Sequence, residues 1–512
     1  MCRGCRRRYR GHRGSQVYLA GKFVGFDLGR IRHAGRIWYL ILHAGAKPRV
    51  PARPVDPARL GRQIQFGRRY ACALSRALFK GSAFVALKGE NYDGHEFINI
   101  AFDLGASACI VNENWYKLNK GKYFIKPLIV VNDTLQAFGD IANDYRNNFI
   151  FPIIAVAGSN GKTTTKELLS DILSSKYNVL RTEGNLNNLI GLPNMLLRLN
   201  NNYNCAVLEI GTNSPGEIER LSNILNPTHG TITNIGKEHL ELLKNLKGVA
   251  KEEGELFNFL KNNNRTSFVN LDDIHISKMG KSIKNKFTYG KKINADLKLK
   301  VKKINEYGAP EISLSYKTGN RVNEIISQLK TPGVHTAINA TAATAIALEL
   351  GVSKKKITKV LKNFEPTEYK SGYARLSVIN LKNSSRILND TYNSNPDSTL
   401  VALKTLFDMK IRKGGKRIVV LGDMKELGKM SKIEHESIGI ELSKLKLDNV
   451  YFYGEQMKYA YKKFNDNSKG IHYISKEKLI NDLKPNFIAH DILLVKGSRG
   501  MKMEEVVNSL SV

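Results

Sequence analysis

The stretch that most constrains this chain is residues 151–175, FPIIAVAGSNGKTTTKELLSDILSS. It opens on an apolar run, residues 153–157, long enough for a buried strand and too short for a helix. The turn Gly158-Ser159-Asn160-Gly161 follows, and then Lys162-Thr163-Thr164-Thr165. Beyond it Leu168, Leu169, Ile172 and Leu173 recur at helical spacing, which predicts an amphipathic helix. Strand, glycine turn, Lys-Thr and helix are the order that a phosphate-binding loop needs. Glycines let the backbone wrap an anion, and free amides at the helix start donate to it. The lysine neutralises the outer phosphates, and the hydroxyl after it can hold Mg²⁺. The general nucleotide-loop pattern wants a glycine five residues before Gly161, where this chain has Val156. The competing reading is an ordinary strand and helix joined by incidental glycines; the fit of both flanks favours the phosphate loop.

Further strand ends carry polar groups. Ala206-Val207-Leu208-Glu209-Ile210-Gly211 puts a carboxylate at the end of an apolar strand. Ligands of open α/β sheets sit beyond the carboxyl ends of strands, so Glu209 is placed to hold a Mg²⁺ shared with the nucleotide. A third strand, residues 230–235, runs into Gly236-Lys237-Glu238-His239 and brings His239 to the same rim. A lone histidine at a strand end is more often structural, but three polar strand ends in succession favour function. Between these strands lies a polar loop with Asn185, Asn187 and Asn188. Asparagines are frequent turn formers, so this loop also has a purely structural reading.

The remaining pattern is coarser. Lys251-Glu252-Glu253-Gly254-Glu255 is expected to open a helix, its acidic residues favoured by the helix dipole. Residues 292–330 alternate apolar and polar, as antiparallel strands of a half-exposed sheet do. Pro332-Gly333 breaks that pattern, and residues 337–350 form an Ala-rich helix capped by Gly351. The last third is another α/β block. Its strands end in Asp390-Thr391-Tyr392-Asn393, in Gly422-Asp423 and in Lys496-Gly497-Ser498-Arg499, with a helix cap expected at Asp397/Ser398. Upstream, residues 83–87, 108–111 and 127–131 read as strands, with helices over Phe97, Ile98, Ala101 and Phe102 and over residues 135–145. Lys88, Asp93 and His95 sit on a glycine-rich turn there and by themselves read as solvated turn residues. A boundary is plausible near Asn148.

Length and charge bound the rest. At 512 residues the chain has room for about three domains. It has no apolar run of about 18 residues, so no membrane span is expected. A net charge of +34 raises nucleic acid or an anionic membrane as partners. The charge is uneven, however. Residues 1–79 hold 16 Arg and 2 Lys against 2 acidic residues, whereas residues 80–512 hold 11 Arg and 51 Lys against 44 acidic ones. Residues 1–74 read best as an Arg-rich extension of foreign origin or without fixed structure. A transit peptide is a second reading, weakened by scarce serine. An arm for nucleic acid is a third, resting on Arg6-Arg7-Arg8-Tyr9-Arg10 and on little else; nucleic acid is therefore not an expected partner. Cys2 and Cys5 form a CxxC without a second pair at zinc-site spacing. Five scattered cysteines point to a reducing compartment.

Residues 75–512 resemble the Mur ligase family. The motifs are FVALKGENYDGHEFI, AGSNGKTTTKE, TEGNLNNLIGLP, LEIGTNSPGEI, TNIGKEHLE, NDTYNSNPDS, VLGDMKELG and LVKGSRGM, in the family's order over roughly 85% of the chain. The resemblance implies an α/β protein of three domains. A small N-terminal α/β domain at 75–148 would bind a UDP-sugar, a central P-loop domain at 149–328 ATP, and a C-terminal Rossmann-like domain at 329–512 would close over both.

It is most similar to members that join D-alanyl-D-alanine to UDP-N-acetylmuramoyl-tripeptide. These use ATP and Mg²⁺, pass through an acyl phosphate, and are expected in the cytoplasm as monomers. The catalytic set implied is Lys162, Glu209 and His239, with Thr163, Glu209 and His239 serving metal. Gly158, Ser159, Asn160, Gly161, Lys162, Thr163, Thr164, His335, Asn339, Asp390, Tyr392 and Asn393 would hold ATP. Ser75, Arg76, Lys88, Asp93, Gly94, His95, Asn185, Asn187, Asn188 and Arg375 would contact substrate.

Four departures stand out. Glu253 occupies the place where the family often carries a carbamylated lysine, and Lys251 lies two residues earlier. Thr336 follows His335 where asparagine is common, and the stretch before Arg375 is long. Residues 35–74 lack the family's pattern, so the UDP-binding domain is expected to be incomplete. An impaired homologue, or a sister amide ligase such as the tripeptide-forming enzyme or a folylpolyglutamate synthase, are the alternatives.

Overall fold

The computed structural model describes residues 18–20, 78, 81–90, 92–122, 126–365, 374–466 and 468–510. It divides into two units, residues 1–149 and 150–512. In the first, strands Tyr18–Ala20 (β1), Ala83–Val85 (β2), Ala108–Asn112 (β3) and Leu128–Val131 (β4) form a sheet ordered β1-β4-β3-β2. Strands β2, β3 and β4 are parallel, and β1 pairs antiparallel with β4. Helix Ile98–Asp103 (α1) connects β2 to β3, and helix Thr134–Arg146 (α2) follows β4, capped by Asp133, whose carboxylate accepts the amides of Leu135 and Gln136. Phe84, Ile98, Cys109, Val111 and Val130 make the core. Apart from β1, residues 1–74 lie outside the described residues, so the readings of that extension do too.

The second unit is built on two sheets. Strands Ile153–Ala157 (β5), Val179–Arg181 (β6), Cys205–Glu209 (β7), His229–Ile232 (β8), Thr266–Asn270 (β9), Lys286–Gly290 (β10), Leu297–Ile304 (β11), Pro310–Thr318 (β12) and Arg321–Gln328 (β13) form one sheet ordered β13-β12-β11-β10-β9-β8-β5-β7-β6. From β6 to β11 neighbouring strands are parallel. Here β5 (IIAVA) and β7 (CAVLE) are buried at every position, as parallel strands covered on both faces must be. Strands β11, β12 and β13 pair antiparallel, and β13 buries only some of its positions. The half-exposed antiparallel strands expected at 292–330 thus form the far edge of the central sheet.

Helices Lys162–Leu173 (α3), Glu217–Leu225 (α4), Leu246–Asn262 (α5) and Val334–Glu349 (α6) cover this sheet or pack on its helices. Helix α6 opens at Gly333, whose φ of +89° only glycine adopts without strain. Ala337, Ala340 and Ile346 of α6, and Ile357 and Leu361 of the next helix, share one core with Ile154, Leu169 and Val207. The packing therefore carries the central block on through Phe364, past the boundary expected after residue 328. Proline and glycine at 332–333 mark the start of a helix there.

Helix α5 corrects a second expectation. It starts at Asn245, whose side chain accepts the Gly248 amide, and no acidic residue lies in its first turn. Glu252 and Glu253 sit mid-helix and buried, so the dipole reading does not apply to them.

The C-terminal sheet consists of Ser377–Asn380 (β14), Arg386–Asp390 (β15), Arg417–Gly422 (β16), Asn449–Tyr453 (β17), Gly470–Tyr473 (β18) and Ile492–Lys496 (β19), ordered β14-β15-β19-β16-β17-β18. All pairs but β14–β15 are parallel. Helices Pro396–Asp408 (α7) and Ser431–Ser443 (α8) cover one face. The cap of α7 is Asn395, not Asp397/Ser398; Ser398 is its partner in a reciprocal capping box. Among the described residues no helix is long and apolar enough to cross a membrane.

Candidate active site

A cleft of about 460 Å³ lies between the central and C-terminal blocks of the second unit. Its floor is the turn from β5 into α3. Gly158 and Gly161 have φ of +113° and +82°. A Cβ on Gly161 would stand 2.6 Å from Asn339 Oδ1, and one on Gly158 would collide with Thr233. The turn is fixed from the end of β8. Ser159 N donates to Asn234 O (2.9 Å). Asn160 N donates to Asn234 Oδ1 (3.1 Å), and Thr233 Oγ1 to Asn160 O (2.6 Å).

Acidic groups ring the loop's lysine. Lys162 Nζ folds onto the carbonyl of Gly158 and lies 3.7 Å from Glu238 Oε2. Burial opposes its charge, but Glu238, Glu253 and Glu209 more than offset that and hold its pKa above the usual lysine value. Thr163 Oγ1 donates to Glu209 Oε2 (3.0 Å), and Asn187 Nδ2 to Glu209 Oε1 (2.8 Å). Glu253 is fully buried and accepts the Gly158 amide at 2.7 Å. Burial pushes its carboxyl up to about 8. Glu238 Oε1 and Glu253 Oε1 are buried and have no hydrogen-bond partner. A hydroxyl, the Glu209 carboxylate and two unpartnered carboxylate oxygens are the hard oxygen donors that Mg²⁺ prefers.

The opposite wall comes from the C-terminal block. Asp390 pairs with Lys496 at 2.5 Å, and Lys496 also donates to Asn393 O at 2.8 Å; both charged groups are buried. The Arg375 guanidinium lies 3.9 Å from the centre of the Tyr392 ring. His335 is half-buried, and desolvation lowers its pKa to about 4, leaving a neutral imidazole. Thr336 Oγ1 donates to Gly333 O at 2.6 Å and so closes the first turn of α6.

The cleft brings together Gly161, Lys162, Thr163, Thr164, Ser159, Asn160, Asn185, Asn187, Glu209, His239, His335, Asn339, Arg375, Asp390, Tyr392 and Asn393. Asn188 is not among them. Its side chain accepts the amides of Ile190 and Gly191 and starts a helix, the structural reading of that asparagine loop. The recorded partners of the His239 ring are Glu426 Oε2 at 2.9 Å and Glu238 Oε2 at 3.9 Å. Thr163 and Glu209 meet, but among the described residues no group of three His, Cys, Asp or Glu is arranged to hold a metal ion. The long stretch before Arg375, residues 366–373, lies outside the described residues.

Sequence reasoning passed over Lys237, Glu238, Asn395, Asp397, Lys425, Glu426 and Lys496 as site residues, and all of them line the cleft. Several tie the two blocks together. Lys237 N donates to Asp397 Oδ2 (2.6 Å), Lys237 Nζ pairs with Glu434 Oε1 (2.8 Å), and Asn395 Nδ2 donates to Asn160 Oδ1 (3.0 Å). Lys237 and Glu238 directly precede His239, and the others stand in motifs already quoted, which was the clue the sequence offered.

In the first unit, the candidates Lys88, Asp93, Gly94 and His95 share one turn. Lys88 and Asp93 form an antiparallel bridge. Asp93 Oδ1 accepts the His95 amide (3.0 Å) and lies 2.5 Å from His95 Nδ1. The ring of buried His95 accepts the Asn112 amide and stacks on Trp115. Histidine and aspartate here are tied into the fold, not the free turn residues that the local sequence implies. Ser75 and Arg76 lie outside the described residues.

Comparison with known proteins gives the family of the chain. Residues 156–347 match the family description "Mur ligase middle domain", and residues 374–499 match "Mur ligase, glutamate ligase domain". A UDP-N-acetylmuramoyl-tripeptide–D-alanyl-D-alanine ligase of Bacillus subtilis is 34% identical over 442 residues, which is 85% of this chain and 92% of that protein. The Escherichia coli protein of the same name is also 34% identical, over 441 residues and the same shares of both chains. Among solved structures, MurF from Acinetobacter baumannii superposes with a TM-score of 0.74 at 30% identity, covering 85% of this chain and 92% of that one. MurF ligase from Thermotoga maritima in complex with ADP gives 0.72 at 27% identity, covering 85% and 96%.

Proposed function

This chain belongs to the Mur ligase family, and on that premise we propose that it joins D-alanyl-D-alanine to the terminal carboxylate of UDP-N-acetylmuramoyl-tripeptide, with ATP, in peptidoglycan precursor synthesis. The reading rests above all on one observation. The Gly158–Gly161 turn, its Lys162 and the Thr163–Glu209 pair face Asp390 and Lys496 across a single cleft.

The chemistry follows from that arrangement. Backbone amides at the start of α3, with Lys162, would cradle the outer phosphates. The tripeptide carboxylate takes the γ-phosphoryl group to give an acyl phosphate and ADP. The dipeptide amine then attacks the acyl carbon, an amide forms, and phosphate leaves. Phosphoryl transfer of this kind is catalysed mainly by positioning and electrostatics. Lys162 would counter charge on the transferring group, and Thr163 with Glu209 would hold Mg²⁺, which supplies charge neutralisation when bound. The Glu253 carboxylate, beside the Gly158 amide, stands where relatives often carry a carbamylated lysine. His335, Asn339, Asp390, Tyr392 and Asn393 would contact the nucleotide; Asn185, Asn187 and Arg375 the peptide substrate; Lys88, Asp93, Gly94 and His95 the UDP moiety. His239 would serve the cleft through its partner Glu426.

On packing, the central domain would run to about residue 365 and the C-terminal domain would begin near residue 374. The enzyme would act as a cytoplasmic monomer. Neither an impaired homologue nor a sister amide ligase draws support from the relatives. The deciding experiment is a phosphate-release assay. Release that requires ATP, UDP-N-acetylmuramoyl-tripeptide and D-alanyl-D-alanine together is the expected result. ATP binding without release at saturating substrates would sink the reading in favour of an impaired homologue.

A further inference from the structure

We propose that His435 is a positioning residue of this cleft: it fixes the turn at residues 423–428 so that Glu426 holds the His239 ring in place. The starting point is a buried histidine that the chemistry above leaves unused. His435 is 0% exposed and sits in α8. Its Nδ1 lies 2.7 Å from Ser431 O, and a carbonyl only accepts, so Nδ1 carries the proton. Its Nε2 is then a lone pair, and it accepts the Met424 amide at 3.1 Å. The tautomer is set by the fold, and burial keeps the ring neutral.

Met424 is one of three consecutive residues whose amides are pinned. Asp423 N donates to Tyr453 O (3.2 Å) and Lys425 N to Ser498 Oγ (2.8 Å). The turn then carries Glu426 at φ +65°, a conformation that a residue other than glycine keeps only when its surroundings impose it. Glu241 N donates to Glu426 O (3.2 Å), and the Glu426 carboxylate reaches His239 Nδ1 at 2.9 Å. The residue before His435 acts on the same segment, since Glu434 pairs with Lys237. Two successive residues of α8 therefore govern residues 237 and 239, one by direct contact and one through the turn.

The inference goes beyond the proposed function, but its activity readout rests on that reading, so the test also carries a readout independent of turnover. Full-length wild type is compared with His435→Gln, His435→Leu, Glu426→Ala and the double variant His435→Leu/Glu426→Ala. The readouts are phosphate release and the ring signals of His239 in ¹⁵N-histidine-labelled protein, assigned with His239→Asn. His435→Leu and Glu426→Ala should each lower kcat by about tenfold, with KM for ATP unchanged, because both misplace one ring. The double variant should be no slower than the slower single one, because both act along one path. His435→Gln, whose side-chain carbonyl can still accept the Met424 amide, should retain most of kcat. The His239 signals should shift in His435→Leu and Glu426→Ala but not in His435→Gln. Losses that multiply in the double variant, or His239 signals unmoved in His435→Leu, overturn the proposal. If His435→Leu fails to fold, His435→Gln decides alone: a kcat loss as large as that of Glu426→Ala, at unchanged Tm, overturns it. If wild type releases no phosphate, the functional reading fails, and the ring signals still decide for His435.

Discussion

The amide of Gly158 donates to Glu253 Oε2 across 2.7 Å, joining the first residue of the phosphate loop to the middle of a helix 95 residues further on. Glu253 thus ties its fully buried carboxyl to the loop's own backbone.

Burial raises the Glu253 carboxyl from 4.5 to about 8. The sign follows from linkage. An acid whose folded-state pKa is raised binds its proton more tightly when folded. Stability is therefore full below the unfolded value and is lost as pH rises through the folded one. Glu253→Gln keeps an acceptor for the Gly158 amide and has no proton to lose. The Tm of this variant relative to wild type should rise between about pH 5 and about pH 8. A difference in Tm that does not change with pH would show that Glu253 is ionised throughout.

Lys162 lies 3.7 Å from Glu238 Oε2, and the charges of Glu253 and Glu209 act on it as well. Lys162→Met should lower kcat/KM for phosphate release by about 10²–10³-fold, the scale of losing one preorganised charge at a transferring phosphoryl group. It also leaves the carboxylates without their shared counter-charge, so its Tm should fall more at alkaline than at acidic pH. Steady-state kinetics and calorimetry on the same protein test both halves; turnover within a few-fold of wild type refutes the role given to Lys162.

At Gly161 two costs coincide: φ is +82°, and a Cβ would lie 2.6 Å from Asn339 Oδ1. Gly161→Ala should destabilise the protein by about 1–3 kcal/mol. Asn339→Ala in the same chain removes the collision but leaves the left-handed backbone. Urea unfolding should therefore place the double variant between Gly161→Ala and wild type. Full recovery would mean that the backbone strain is negligible.

Lys496 and Asp390 are both buried and 2.5 Å apart. Lys496→Met leaves a buried carboxylate without its cation, a loss of about 3–5 kcal/mol in unfolding experiments. Asp390→Asn/Lys496→Met should recover much of that loss, because no charge is stranded. If the double variant is as unstable as the single one, the pair is not what the loss measures.

The phosphate loop was legible because its signals are local. The limits of β5 coincide with the apolar run at 153–157, and α3 starts at Lys162 as the loop grammar requires. Glu209 was legible for the same reason, as a charge at the end of an apolar strand. What failed was non-local. Lys251-Glu252-Glu253 looks like the start of a helix, but Asn245 had already capped one. Glu252 is then free to accept the amides of Gly216 and Ile218 at the start of α4, a contact that no local pattern announces. Pro332-Gly333 was legible as a break in the alternating pattern, but a break says nothing about which core the next helix joins. Lys496 stood in a motif already singled out, yet its partner Asp390 is 106 residues away. Asn188 looked the same as its neighbours Asn185 and Asn187 until its helix-capping contacts could be seen.

The position of β19 in the C-terminal sheet has a consequence for how this protein is made. Residues 492–496 lie between β15 and β16, pairing with both. Until the ribosome has released that strand, β15 and β16 each carry an exposed edge able to pair with another chain. The wall of the cleft that bears Asp390 cannot close before Lys496 is synthesised. Nascent chains should therefore hold a finished phosphate loop against an unfinished lid, and chaperone demand should persist until residues 492–496 have emerged.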